Sequence, residues 1–226
     1  MESKRLKSLS VSNLYAKKFK RLPLPETGDF IRVLSGDMPR GGIWLVHGDE
    51  KQGKTTLCLS LANWLSQTNK VLYVQSEQST NETDVDKLFV ESMQRVGIEN
   101  DNRMLGIFGD LDNDEIVEIL GRRRSADIVL IDNLTTAKWV NTQVVRKLNK
   151  TFKDKLFIYV THNDRNGDPD GSTGKAIRRL ANTIFSVTAG RADVIGRGDW
   201  GGTLDIDWQN GKIMYGTDST DGQPRI

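Results

Sequence analysis

From residue 42 onward, short apolar runs alternate with stretches of helical period, the pattern of a parallel sheet covered on both faces. Ile43 to His47 reads as the first buried strand. Leu57, Leu61, Trp64 and Leu65 then recur at helical spacing, so an amphipathic helix with Cys58 near its start should follow. Val71 to Val74 is a second strand, leading to a helix with Val85, Leu88, Phe89, Met93 and Val96 on one face and Gly97 as its stop. Met104 to Phe108 fits a short extra strand. Asn113 is placed to cap a helix whose first turn holds Asp114 and Glu115, where the helix dipole favours acids. Ile128 to Ile131 and Leu156 to Val160 are the third and fourth core strands, separated by a helix bearing Val144, Val145, Leu148 and Phe152. Thr183 to Val187 is a fifth. Thr203 to Trp208 and Lys212 to Tyr215 flank Asn210-Gly211, a hairpin signal. The expected fold is therefore α/β, a mainly parallel sheet flanked by helices with an antiparallel hairpin at its C-terminal end.

Residues 1–40 lack this periodicity and are basic, with Lys4, Arg5, Lys7, Lys17, Lys18, Lys20 and Arg21 ahead of Pro23 and Pro25. They read as an arm before a core at 41–216, and the polar residues 217–226 as a flexible tail. At 226 residues the chain is long enough for one sizeable core. With 32 Lys and Arg against 30 Asp and Glu, a net charge of +2 does not announce a polyanion partner, so any nucleic-acid site must be local. One cysteine, Cys58, excludes an internal disulfide and a thiolate zinc cluster. No run approaches a membrane span and the N-terminus is too polar for a signal peptide, so the expectation is a cytoplasmic protein without a membrane partner.

Gly48-Asp49-Glu50-Lys51-Gln52-Gly53-Lys54-Thr55 matches the spacing of a phosphate-binding loop, and it sits between the first strand and the first long helix. Backbone N–H groups and a helix N-terminus must wrap phosphates closely, which larger side chains would obstruct at Gly48 and Gly53. Lys54 supplies a cation for the outer phosphates of ATP. Thr55 offers its hydroxyl to Mg2+, an ion that takes few protein ligands, and Thr56 completes the nucleotide-binding stretch. Asp132 ends the third strand, where a carboxylate reaches the same metal ion directly or through water. The next residue is Asn133, so a catalytic carboxylate must come from elsewhere. Glu77, beyond the second strand, lies where strand ends converge on a ligand crevice and is the candidate base for the attacking water.

These residues resemble the RecA superfamily, most closely its RadA/Sms branch and more distantly the DnaB helicases and KaiC ATPases. The resemblance covers roughly residues 40 to 216. Val71-Leu72-Tyr73-Val74 leading to Glu77 is similar to the family's second strand and catalytic glutamate, although Gln78 departs from the usual second acid. Tyr159-Val160-Thr161-His162 resembles the sensor strand, which makes His162 the candidate contact to the terminal phosphate. Asn163 to Lys175, with Asp164, Arg165, Gly167, Asp168, Gly171 and Gly174, reads as a mobile loop, and the resemblance implies that Arg165, Lys175, Arg178 and Arg179 touch single-stranded DNA. Gly196-Arg197-Gly198 stands where the family carries Lys-Asn-Arg-Phe-Gly, so Arg197 is the candidate finger reaching a neighbour's nucleotide in a homo-oligomeric ring or filament.

The combined expectation is an ATP- and Mg2+-dependent, DNA-acting ATPase of recombination, repair or replication, with Lys54, Glu77, His162 and Arg197 as its catalytic set. Three alternatives stay open: a regulatory ATPase of KaiC type without DNA, a small-molecule kinase, and a recombinase paralogue that scarcely hydrolyses.

Overall fold

The computed structural model describes residues 10–34, 38–76, 82–99, 105–109 and 111–216. Glu77 and Met104 lie outside them. A five-residue helix α1 (Val11–Tyr15) precedes the core. Among the described residues nine strands form one sheet. The parallel part contains β1 (Gly42–Gly48), β2 (Val71–Gln75), β3 (Leu105–Phe108), β4 (Ile128–Asp132), β5 (Leu156–His162) and β6 (Thr183–Thr188). β7 (Arg191–Gly196), β8 (Gly201–Asp207) and β9 (Lys212–Tyr215) continue it antiparallel, giving the order β3-β2-β4-β5-β1-β6-β7-β8-β9. Every strand inferred from an apolar run is present. β7 is additional: buried Ala192 and Val194 alternate with exposed Asp193 and Ile195, so it forms no continuous apolar run.

Helices cover both faces. α2 (Lys54–Ser66) and α3 (Glu82–Arg95) lie on one, while α4 (Asn113–Gly121), α5 (Thr142–Thr151) and α6 (Gly171–Leu180) lie on the other. The cap of α4 is Asp112 rather than Asn113. Its carboxylate accepts from the Asp114 and Glu115 amides, and Glu115 accepts in turn from the Asp112 N–H, so the reciprocal box selects the earlier residue.

α2 is not amphipathic in its surroundings: Leu57, Cys58, Leu59, Leu61, Ala62 and Leu65 are all fully buried. The cause is the segment read as an arm. Leu22, Phe30, Val33, Leu34 and Met38 join the same core cluster as α2, with Phe30 against Trp64 at 5.4 Å between ring centroids. Trp64 Nε1 also donates to the Thr27 carbonyl at 2.6 Å. Among the described residues the packed body therefore begins near Leu22, while Val11, Tyr15 and Phe19 ahead of it are exposed.

Candidate nucleotide-binding site

The order of the sheet puts the C-terminal ends of β4, β5, β1 and β6 side by side, and the loop after β1 opens at that edge. Gly48 is required by the sheet itself, because a Cβ there would fall 2.2 Å from the Val187 carbonyl oxygen on β6. Lys51 and Gly53 take positive φ of 59° and 94°, the kind of turn that gathers successive N–H groups into a concavity. α2 begins at once, and no side chain caps its first N–H groups. Those donors face the loop's hollow, where an anion satisfies them.

Lys54 is buried, and its ammonium donates to the carbonyls of Gly48 at 2.9 Å and Asp49 at 2.6 Å. Burial lowers its pKa, an effect opposed by the nearby Asp132 carboxylate. The loop is thus folded around a cation that it holds by two neutral carbonyl acceptors. Gln52 braces the other flank by accepting from the Ala189 N–H at 2.5 Å, in the turn between β6 and β7. Cys58, one turn into α2, is fully buried and its thiol pKa is pushed well up, so it is a packing residue.

A cleft of about 640 Å³ opens above the loop, lined by Glu50, Lys51, Gly53, Lys54, Thr55 and Thr56 and by Asp132, Asn133 and His162. The candidate metal ligands Thr55 and Asp132 therefore share one cleft with the lysine. Both offer oxygen donors, the set that Mg2+ accepts, and Tyr73 fixes the carboxylate by donating its hydroxyl at 2.6 Å. Asn133 accepts from the Thr135 and Thr136 N–H groups through Oδ1, and its Nδ2 lies 3.4 Å from His162 Nε2. The candidate sensor and the residue after Asp132 are thus neighbours.

Behind the cleft, His47 is buried between two side chains: Nδ1 lies 2.8 Å from Asn163 Oδ1, and Nε2 lies 2.9 Å from the Ser186 hydroxyl. The Asn163 contact fixes the proton on Nδ1, leaving Nε2 to accept from Ser186. Burial lowers its pKa below the usual 6.5, partly offset by the Asn163 bond.

The segment after His162 differs from a long mobile loop. α6 starts at Gly171, so only residues 163–170 connect it to β5, and they form a tight turn. Asp164 Oδ1 accepts from the Asn166 and Asp168 N–H groups, and Asn163 bridges to Pro169. Lys175 pairs with Asp164 at 2.8 Å and Arg178 pairs with Asp168, so two of the four candidate DNA contacts are already neutralised within the chain. Lys175, Arg178 and Arg179 nevertheless line one cleft of about 440 Å³. Arg197 stands exposed between β7 and β8, where its guanidinium donates to the Arg179 carbonyl at 2.5 Å in the last turn of α6.

Four lining residues carry no motif: Leu88, Ser92 and Arg95 from α3, and Trp208 from the turn after β8. In sequence Leu88 reads as a core position, yet it is exposed at the cleft; only proximity in the fold reveals the group.

The model of the iSTAND family, described as inactive STAND, matches residues 28–168. The chain belongs to the iSTAND family. It is also 30% identical over 112 residues to the DNA repair protein RadA of Bacillus subtilis (strain 168), a match covering 49% of this chain and 22% of that protein. The chain thus spans about a quarter of the length of the curated relatives it matches. Among solved structures, the flagellar accessory protein FlaH of Methanocaldococcus jannaschii superposes with a TM-score of 0.61 at 16% identity, covering 89% of this chain and 100% of that one. A KaiC-like protein of Pyrococcus horikoshii OT3 gives 0.61 at 15% identity, covering 88% and 98%. This iSTAND member has the RecA-like P-loop fold.

Proposed function

We propose that the chain binds ATP with Mg2+ on the loop from Gly48 to Thr56 and hydrolyses it, acting as a cytoplasmic homo-oligomer on single-stranded DNA. The observation that supports this most is the buried Lys54 ammonium, held by two carbonyls of an uncapped loop in a cleft shared with Thr55 and Asp132. On binding, Lys54 exchanges those carbonyls for the outer phosphate oxygens, a stronger charge-assisted contact. Mg2+, when bound, supplies neutralisation of the charge on those oxygens, with Thr55 and Asp132 as its protein ligands. Glu77 takes the proton of the attacking water, a role carried over from the RecA resemblance.

His162 stands at the end of β5, and the turn at 163–170 joins it to α6. A contact between His162 and the terminal phosphate therefore acts on the segment bearing Arg165, Lys175, Arg178 and Arg179. The RadA relative is named a DNA repair protein, and the cleft lined by Lys175, Arg178 and Arg179 offers cations to a DNA backbone once Asp164 and Asp168 release two of them. Arg197 serves a neighbour's nucleotide once it releases the Arg179 carbonyl.

Steady-state ATPase assays with and without single-stranded DNA test this reading, with the double variant Asp164→Asn, Asp168→Asn in parallel. Stimulation by DNA is expected, and the variant should bind DNA more tightly because Lys175 and Arg178 lose their internal partners. DNA affinity that is absent in both proteins contradicts the DNA half.

A second reading is an ATP-loaded switch that does not turn over. It is favoured by the family's description as inactive and by Asn133 standing after Asp132. Tight ATP binding with no ADP formed, with or without DNA, would select it.

A further inference from the structure

The cleft above the phosphate loop is lined at once by Asp132 and His162 and by Arg95 and Trp208, which differ in chemistry. The sheet order places Asp132 on β4 and His162 on β5 to one side of β1, while β6 to β9 lie to the other. A triphosphate whose terminal group meets Asp132 and His162 therefore carries its nucleoside toward the turn after β8. Trp208 stands in that turn and lines the cleft.

The indole is seated on glycine. A Cβ at Gly190 would come within 2.5 Å of Trp208 Cζ3, and one at Gly53 would lie 3.6 Å from Cε3. The ring thus rests against the backbone of the phosphate loop and of the β6–β7 turn, yet it remains 39% exposed. The same wall is closed by α3. A Cβ at Gly211 would lie 2.1 Å from the Arg95 carbonyl oxygen, so the hairpin tip is pressed against the last turn of that helix. The Arg95 guanidinium donates to Ser92 Oγ at 2.8 Å and to the Trp208 backbone carbonyl at 3.4 Å, which holds it to the same wall of the cleft that Trp208 lines. Among the described residues no carboxylate pairs with it.

We propose that Trp208 is the stacking platform for the base of the bound nucleotide and that Arg95 donates to acceptors on its nucleoside. A partly exposed indole that lines the cleft and is backed by glycine offers a base an apolar partner. A guanidinium has donors only, so it reads ring nitrogens, carbonyls and ribose oxygens rather than exocyclic amines. The pair therefore selects nucleotides with a large π-face over bare phosphate chains and discriminates weakly between purines.

The proposal rests on the phosphate-loop reading, and calorimetric titration with two probes separates their failures. The probes are Mg2+ with ATP and Mg2+ with inorganic tripolyphosphate, applied to the wild type, Trp208→Ala, Trp208→Phe and Arg95→Gln. Trp208→Ala should weaken ATP binding about tenfold or more, within the range for loss of one stacked base, and leave tripolyphosphate binding unchanged. Trp208→Phe should restore most of that loss. Arg95→Gln should weaken ATP by a smaller factor and also spare tripolyphosphate. ATP affinity in Trp208→Ala equal to that of the wild type overturns the platform while leaving the phosphate loop intact. A parallel loss of tripolyphosphate binding overturns it too, since the indole would then only support the loop or Arg95 would serve phosphates. Failure of the wild type to bind either probe removes the phosphate-loop reading and the proposal with it.

Discussion

At the scale of single residues, the site depends on groups held in energetically unfavourable surroundings. His47 is the clearest example, being buried between Asn163 and Ser186 with its pKa lowered by burial. Because the folded value lies below the unfolded 6.5, the unfolded chain takes up more protons as pH falls through that value. Stability should therefore decline below about pH 6.5 and level off once the pH passes the folded value. Urea titrations across this range, compared with His47→Gln, should show the variant lacking that component. A pH dependence identical in both proteins would remove His47 as its source. Glu77 lies outside the described residues, and its assignment stands on sequence. Glu77→Gln should retain ATP binding and hydrolyse about a hundredfold more slowly or worse, the usual effect of losing a general base, as read from single-turnover rates.

Elements report where sequence reading succeeds and where it stops. The strands of the parallel sheet are buried on both faces and announce themselves as apolar runs, such as Ile128 to Ile131. β7 does not, because only one of its faces is covered. The phosphate loop was legible for a different reason: its glycines answer local demands, a close approach to Val187 at Gly48 and a positive φ at Gly53. Arg95 and Trp208 were not legible, since a helix-end arginine and a strand-end tryptophan acquire meaning only when α3 meets the hairpin tip. The same limit hid the packing of Leu22, Phe30, Val33, Leu34 and Met38, which are spaced irregularly among prolines and polar residues. Phe30→Ala measures that packing. With Phe30 buried against Trp64, the variant should lose about 3–5 kcal/mol in urea unfolding, whereas a solvated arm would cost almost nothing.

For the whole molecule, the sheet order is what turns scattered residues into one site. Asp132 and His162 stand on strands beside β1, and the hairpin closes the opposite end of the cleft. The family is described as inactive STAND, and the fold is RecA-like. Nucleotide binding is therefore the property on which every later claim depends. Isothermal titration of ATP with Mg2+ into the wild type and Lys54→Ala tests it directly. The account predicts saturable binding to the wild type, weakened about thirtyfold or more in the variant, because the phosphates lose a buried cation. Lys54→Ala should keep its thermal midpoint, since the ammonium it removes is penalised by burial. Equal ATP affinity in the two folded proteins would contradict the account.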